Sequence, residues 1–112
     1  MNMRTSITSL AMVLLGFGVI AGAVGVSFGA AKSGEVLFKE HCDVCHQDGG
    51  NIVNPKKTLH KKDLQANNIK TEADIIKLMR NPGPGMPKFD EKTLSDHDAK
   101  AIAKYMLKTF NK

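Results

Sequence analysis

Apolar and polar positions divide this chain into one unbroken apolar run and a longer stretch of short amphipathic segments. Residues 10–26, "LAMVLLGFGVIAGAVGV", carry no charge. After residue 32 the period changes. Ala99, Ile102, Ala103, Met106, Leu107 and Phe110 follow the 3, 4, 7, 8, 11 spacing of one helical face. Ser95 stands before them as an N-cap with Asp98 three residues on, while Lys100, Lys104 and Lys108 fall on the opposite side. A second helix is predicted over 71–80, opened by "TEAD" and turning Ile75, Leu78 and Met79 inward. Asn81-Pro82 ends it, because a residue before proline is pushed out of the helical region.

The first helix is predicted over 33–40, with Ser33 as N-cap and Val36 and Leu37 as apolar contacts. Gly34 and Phe38 share one face of it. A helical glycine costs stability, and close approach by another helix is the structural reason to accept one. A single helical turn is expected over 61–66. No stretch alternates as a strand, so the fold class is all-α, three to four short helices with irregular loops between them. One loop is "QDGGNIVNP". The other is "NPGPGMPKF", where three prolines and two glycines within six residues exclude both helix and strand.

Arg4, the apolar run and the small residues of "SFGAAKSG" have the form of a secretory signal, with Gly29 and Ala31 at the positions a signal peptidase reads. Residues 1–31 are therefore expected to be a leader, and 32–112 a single domain exported to the periplasm. The apolar run also approaches the length of a bilayer span, so the alternative is an uncleaved anchor facing the periplasm. No cysteine lies near residue 31 to take a lipid. The 112-residue chain has net charge +5; removing Arg4 leaves fifteen basic against eleven acidic residues, a net of +4. Lysines are mixed with acids, as in "HKKDL" and "FDEKTL", and tryptophan is absent, so the charge reads as a solvated surface and not as a nucleic-acid interface. A domain of about eighty residues buries little apolar surface, and small exported domains usually carry a further constraint.

The only two cysteines lie in "CDVCH", residues 42–46. A disulfide between Cys42 and Cys45 would close too small a loop to stabilise much. A thioredoxin-like dithiol needs a strand-helix context that this segment lacks. For a zinc ion, His46 stands awkwardly close to Cys45 to share the same tetrahedron. Covalent haem fits each residue: two thiols add across the porphyrin vinyl groups, and the adjacent histidine becomes an axial ligand of the iron.

Candidates for the sixth iron ligand are Met79, Met86, Met106, His41, His60 and His97. Met79 and Met106 fall on apolar helix faces and read as core. His41 is too close to Cys42 to reach the opposite haem face; His60 and His97 read as surface histidines. Met86 belongs to no periodic pattern and stands between Gly85 and Pro87 in a loop stiffened by proline. It is the candidate for a thioether presented to iron.

"CDVCHQDGGNIVNPKKTL" and "GMPKFDEKTLSDHDAKAIAKYML" together resemble the small soluble class I c-type cytochromes, closest to the cytochrome c6 group. The resemblance covers residues 33–110 and implies a small cytochrome c fold wrapped around one covalently attached haem c. It implies Cys42, Cys45, His46 and Met86 as the haem-binding residues, with His46 and Met86 on the iron. It further implies that the first and last helices cross at Gly34, that Phe38 packs near Tyr105, and that Asn51 and Pro55 shape the proximal loop. The carbonyl near Pro55 is expected to fix the His46 tautomer, and Lys57 to stand near a haem propionate. Gly85 and Lys88 depart from the alanines common in the family around the Met-Pro pair.

The expected function is that of a one-electron carrier, not an enzyme, passing between a redox donor and a redox acceptor that dock at an exposed haem edge. Lysines such as Lys88 bias docking toward acidic surfaces. A monomer is expected, with no nucleic-acid partner and a membrane association only if residues 1–31 are retained. The alternatives are a five-coordinate haem sensor or peroxidase-like protein, for which no distal acid-base residue can be named, and a membrane-anchored cytochrome subunit.

Overall fold

The computed structural model describes Gly22 and residues 30–112. The expected leader, residues 1–31, lies outside the described residues apart from Gly22, Ala30 and Ala31. Five helices occur in order among the described residues: α1 (Gly34–His41), α2 (Asp43–His46), α3 (Lys61–Ala66), α4 (Glu72–Arg80) and α5 (Asp96–Thr109), with a 3-10 turn at Gln47–Gly49 directly after α2. Among the described residues there is no strand, and no helix is long and apolar enough to cross a membrane.

Local chemistry starts the helices where the sequence suggested. Ser33 Oγ accepts from Val36 N at 3.3 Å and opens α1. Thr71 Oγ1 accepts from Asp74 N at 3.2 Å while Asp74 Oδ2 accepts from Thr71 N at 3.0 Å, a reciprocal cap on α4. Ser95 Oγ accepts from Asp98 N at 3.1 Å and opens α5. Each such cap is worth about 1 kcal/mol, which matters in helices of two to four turns.

α1 and α5 cross at Gly34. A methyl group there would overlap the Ala101 carbonyl oxygen and stand 2.8 Å from its carbon, so only glycine permits the approach. Phe38, one turn on, lies 5.3 Å from Tyr105 and 5.4 Å from Phe110 between ring centroids. Its full burial contributes roughly 1.5–3 kcal/mol. α4 packs on another side of α5, adding Ile75 and Met79 to a cluster with Leu94, Ala99, Ile102, Ala103 and Met106. Met79 and Met106 are core residues, as their helix positions implied.

Two side chains depart from expectation. Leu78 is 38 % exposed. Ile75 and Met79, four apart, define the inner stripe of α4, and Leu78 lies about 100° round the helix from Met79. His60 is half-buried instead of solvated, edge-on to Phe110 at 6.1 Å. Backbone bonds on either side of it, Leu59 N to Gly49 O at 2.7 Å and Lys61 N to Phe110 O at 3.0 Å, draw the segment onto the end of α5. They leave His60 Nδ1 buried without a hydrogen-bond partner among the described residues.

Candidate functional site

The cysteine motif occupies a break between two helices. Cys42 ends α1, its N–H donating to Phe38 O at 2.8 Å, and its φ of −122° turns the chain into α2. Its carbonyl then accepts from Cys45 N at 3.1 Å and His46 N at 2.9 Å. One helical turn thus separates the two sulfurs, which puts them on the same face. Both thiols are free and half-buried. Burial, with the Asp43 carboxylate adding to it, pushes the Cys42 thiol up to about 11. A thiol held protonated at neutral pH is a poor redox nucleophile, which disfavours the dithiol reading.

His46 is oriented by a hydrogen bond from Nδ1 to Gly50 O at 2.8 Å. The carbonyl expected near Pro55 is not the partner; Pro55 is exposed. Asp48 and Gly49, at φ 54° and 78°, fold the chain back so that Gly50 reaches the imidazole first. A ring that donates through Nδ1 presents Nε2 as its free nitrogen. Asn51 organises the rest of this loop: its Oδ1 accepts from Val53 N at 3.0 Å and Asn54 N at 2.9 Å, and its Nδ2 donates to Lys57 O at 2.9 Å.

Met86 is half-buried and packs against the core, from a loop that leaves α4 and returns to it. Phe89 N donates to Met79 O at 2.9 Å and closes the base of that loop. The cysteine segment and the methionine loop meet at two places. His41, just before Cys42, lies edge-on to Phe89 at 6.1 Å. Val53, beyond His46, fills the space beside Gly85, whose φ of +90° further suits glycine. This accounts for the glycine found where the family often has alanine. Cys42, Cys45 and His46 on one segment and Met86 on the other lie, in chain order, between those two contacts.

Around the motif, apolar side chains are left uncovered: Val44 is 84 % exposed, Ile52 69 % and Val53 57 %. A flat apolar group seated there would cover surface of this kind. No group of three or more His, Cys, Asp and Glu side chains gathers at metal-binding distance among the described residues, so a zinc tetrahedron has no ligand set there. Two free thiols on one face, an imidazole with Nε2 free and an uncovered apolar rim fit a covalent haem. His41 and His97 add no second candidate pair: His97 is exposed beside Asp98, and His41 is engaged with Phe89. Sequence reasoning missed Gly50 and Arg80, whose side chain crosses beneath the methionine loop.

Comparison with known proteins agrees with this chemistry. Residues 29–106 match the family model described as cytochrome c oxidase, cbb3-type, subunit III. Cytochrome c6 of Cyanidium caldarium is 39 % identical over 81 residues, 72 % of each chain. Among solved structures, the outer membrane cytochrome OmcF of Geobacter sulfurreducens is 45 % identical, with a TM-score of 0.68 over 70 % of this chain and 99 % of that one. Cytochrome c6C of Synechococcus sp. PCC 7002 is 29 % identical, with a TM-score of 0.66 over 70 % of this chain and 95 % of that one. The chain belongs to the class I c-type cytochromes, in the cytochrome c6 group, and is a monohaem electron carrier with one covalently attached haem c.

Proposed function

We propose that this protein is an exported one-electron shuttle, not itself an enzyme, with haem joined to Cys42 and Cys45 and its iron held by His46 and Met86. One geometric fact carries this most: the segment bearing both thiols and the imidazole meets the methionine loop at Phe89 on one side and Gly85 on the other. The Gly50 carbonyl fixes the rotation of the His46 ring and raises the basicity of Nε2. The closed base of the loop limits how far Met86 can move. Bound there, the haem supplies the one-electron iron couple, and a thioether ligand favours its reduced form over a second imidazole.

With two side chains of this chain on the iron, no coordination position is left for oxygen or substrate, which favours a carrier over a sensor or a peroxidase. Donor and acceptor dock on the face where the edge of the bound haem reaches the surface. Lys56, Lys57 and Lys88, exposed beside it, bias that face toward acidic redox partners. A monomer with small, short-lived interfaces suits such traffic. Residues 1–31 act as the leader to the periplasm, and 32–112 form the mature domain.

Two measurements on the purified protein test this. Intact mass should equal residues 32–112 plus one haem; retention of residues 1–31 would make it a membrane-anchored subunit instead. The ferric protein should show the weak far-red band of thioether ligation, and Met86→Ala should abolish it. Survival of that band in the variant would move the sixth ligand elsewhere.

A further inference from the structure

Arg80 ends α4 and is not a surface cation. Its side chain is 21 % exposed. The guanidinium reaches across the base of the methionine loop to three acceptors: Nη1 donates to Phe89 O at 3.0 Å and to Leu94 O at 2.8 Å, and Nη2 to Asp96 Oδ1 at 2.7 Å. These acceptors lie on the return limb, residues 89–94, and on the first turn of α5. That limb is itself a tight turn, with Leu94 N on Asp90 O at 2.9 Å and Asp90 Oδ1 accepting from Lys92 and Thr93. The limb is a preformed unit, and Arg80 fastens it to the end of α4.

We infer that Arg80 is a positioning residue for Met86: its forked guanidinium fixes the return limb of the loop and thereby the place at which the thioether is held. This rests on the reading of Met86 as an iron ligand. Met86 is three residues from Phe89, whose carbonyl Arg80 holds and whose N–H bonds Met79 O. Without the guanidinium, that backbone bond and the contacts of Phe89 with His41 and of Gly85 with Val53 are the restraints left on the loop, and two backbone carbonyls lose a charged donor. The planar fork reaches all three acceptors at once, a geometry that the single ammonium of lysine does not reproduce. Asp96, 74 % exposed, contributes least.

The test uses imidazole as a competitor for the Met86 side of the iron in the ferric holoprotein. Arg80→Gln should bind imidazole about tenfold more tightly than wild type, a change of about 1.4 kcal/mol, with a weakened far-red band. Ile102→Val, a change in the fully buried core, should lower the melting temperature and leave imidazole affinity within about twofold. If Arg80→Gln melts lower but binds imidazole as wild type does, Arg80 only supports the fold and the inference is overturned. Should that variant fail to mature, Arg80→Lys carries the test: about threefold tighter imidazole binding is expected, and unchanged affinity would refute the inference. Met86→Ala, measured alongside, separates the two layers. Loss of its far-red band upholds the ligand on which the inference stands, and persistence of the band overturns both.

Discussion

Val53 and Gly85 approach so closely that a methyl group on Gly85 would stand 2.8 Å from Val53 Cγ1. The contact joins the loop after the cysteine motif to the loop that carries Met86. Its tightness and the φ of +90° at Gly85 act together, because a side chain there is strained before it meets its neighbour.

Gly85→Ala should therefore lower the stability of the holoprotein by about 1–3 kcal/mol and weaken the far-red band. Adding Val53→Ala should recover the part due to collision and leave the part due to backbone strain. Urea midpoints of the two single variants and the double variant measure the split. Full recovery in the double variant would show that backbone strain contributes nothing.

Gly34→Ala should be more damaging, since its neighbour is the Ala101 backbone and not a side chain that can turn away. α1 and α5 must separate, at a cost of about 3 kcal/mol. Gly83→Ala is the matched control: nothing lies within 4 Å of a methyl group there, and its stability should stay within about 1 kcal/mol of wild type.

The bond between His46 Nδ1 and Gly50 O assigns the tautomer. In the reduced holoprotein, nitrogen NMR should show Nδ1 protonated and its proton protected from exchange with solvent. An Nδ1 proton exchanging at the rate of a free imidazole would contradict the assignment.

Acid sensitivity should follow the caps. The Lys70 backbone N–H, then the Thr71 hydroxyl and N–H, hold Asp74 below its ordinary 3.8. The Thr58 hydroxyl does the same for Asp63. A carboxyl depressed in the folded state stabilises fully above its unfolded value and loses that contribution as pH falls from 3.8 through the folded value. Asp74→Asn should therefore fall short of wild type in urea midpoint at neutral pH, with the gap narrowing below about pH 4. Thr71→Ala should cost about 1 kcal/mol at neutral pH through the lost cap.

Removing the haem attachment should remove most of the fold. In the Cys42→Ala, Cys45→Ala double variant, residues 47–60 and 81–95 would keep little beyond local turns, and Val44, Ile52 and Val53 would stay uncovered. Far-ultraviolet circular dichroism should show helix content well below the holoprotein and a broad melt. A fully helical, cooperative apoprotein would contradict this.

The all-α class, the haem and the family were legible because each is written locally. Three- and four-residue spacing marked α5 closely enough that Ala99, Ile102, Ala103 and Met106 are all buried, and Gly34 signalled a crossing before any partner was visible. The errors share a cause. The carbonyl facing His46 depends on the left-handed turn at Asp48 and Gly49, which no spacing rule places. His60 is buried by backbone bonds to Gly49 and Phe110, far away in the chain. The acceptors of Arg80 include the carbonyls of Phe89 and Leu94, and main-chain oxygens leave no mark in the residue letters. Leu78, three residues after Ile75, fits the inward spacing as well as Met79 does, and it is the α4–α5 packing that selects Ile75 and Met79.

The crossing at Gly34 also dictates an order of assembly. α1 and α5 lie at opposite ends of the domain, so their meeting closes its longest loop and waits until the final helix has been synthesised. Until that loop closes, residues 42–46 lie on an open chain that a porphyrin can reach. The polypeptide would then be wound around a prosthetic group already in hand, with no need to admit one through a finished wall.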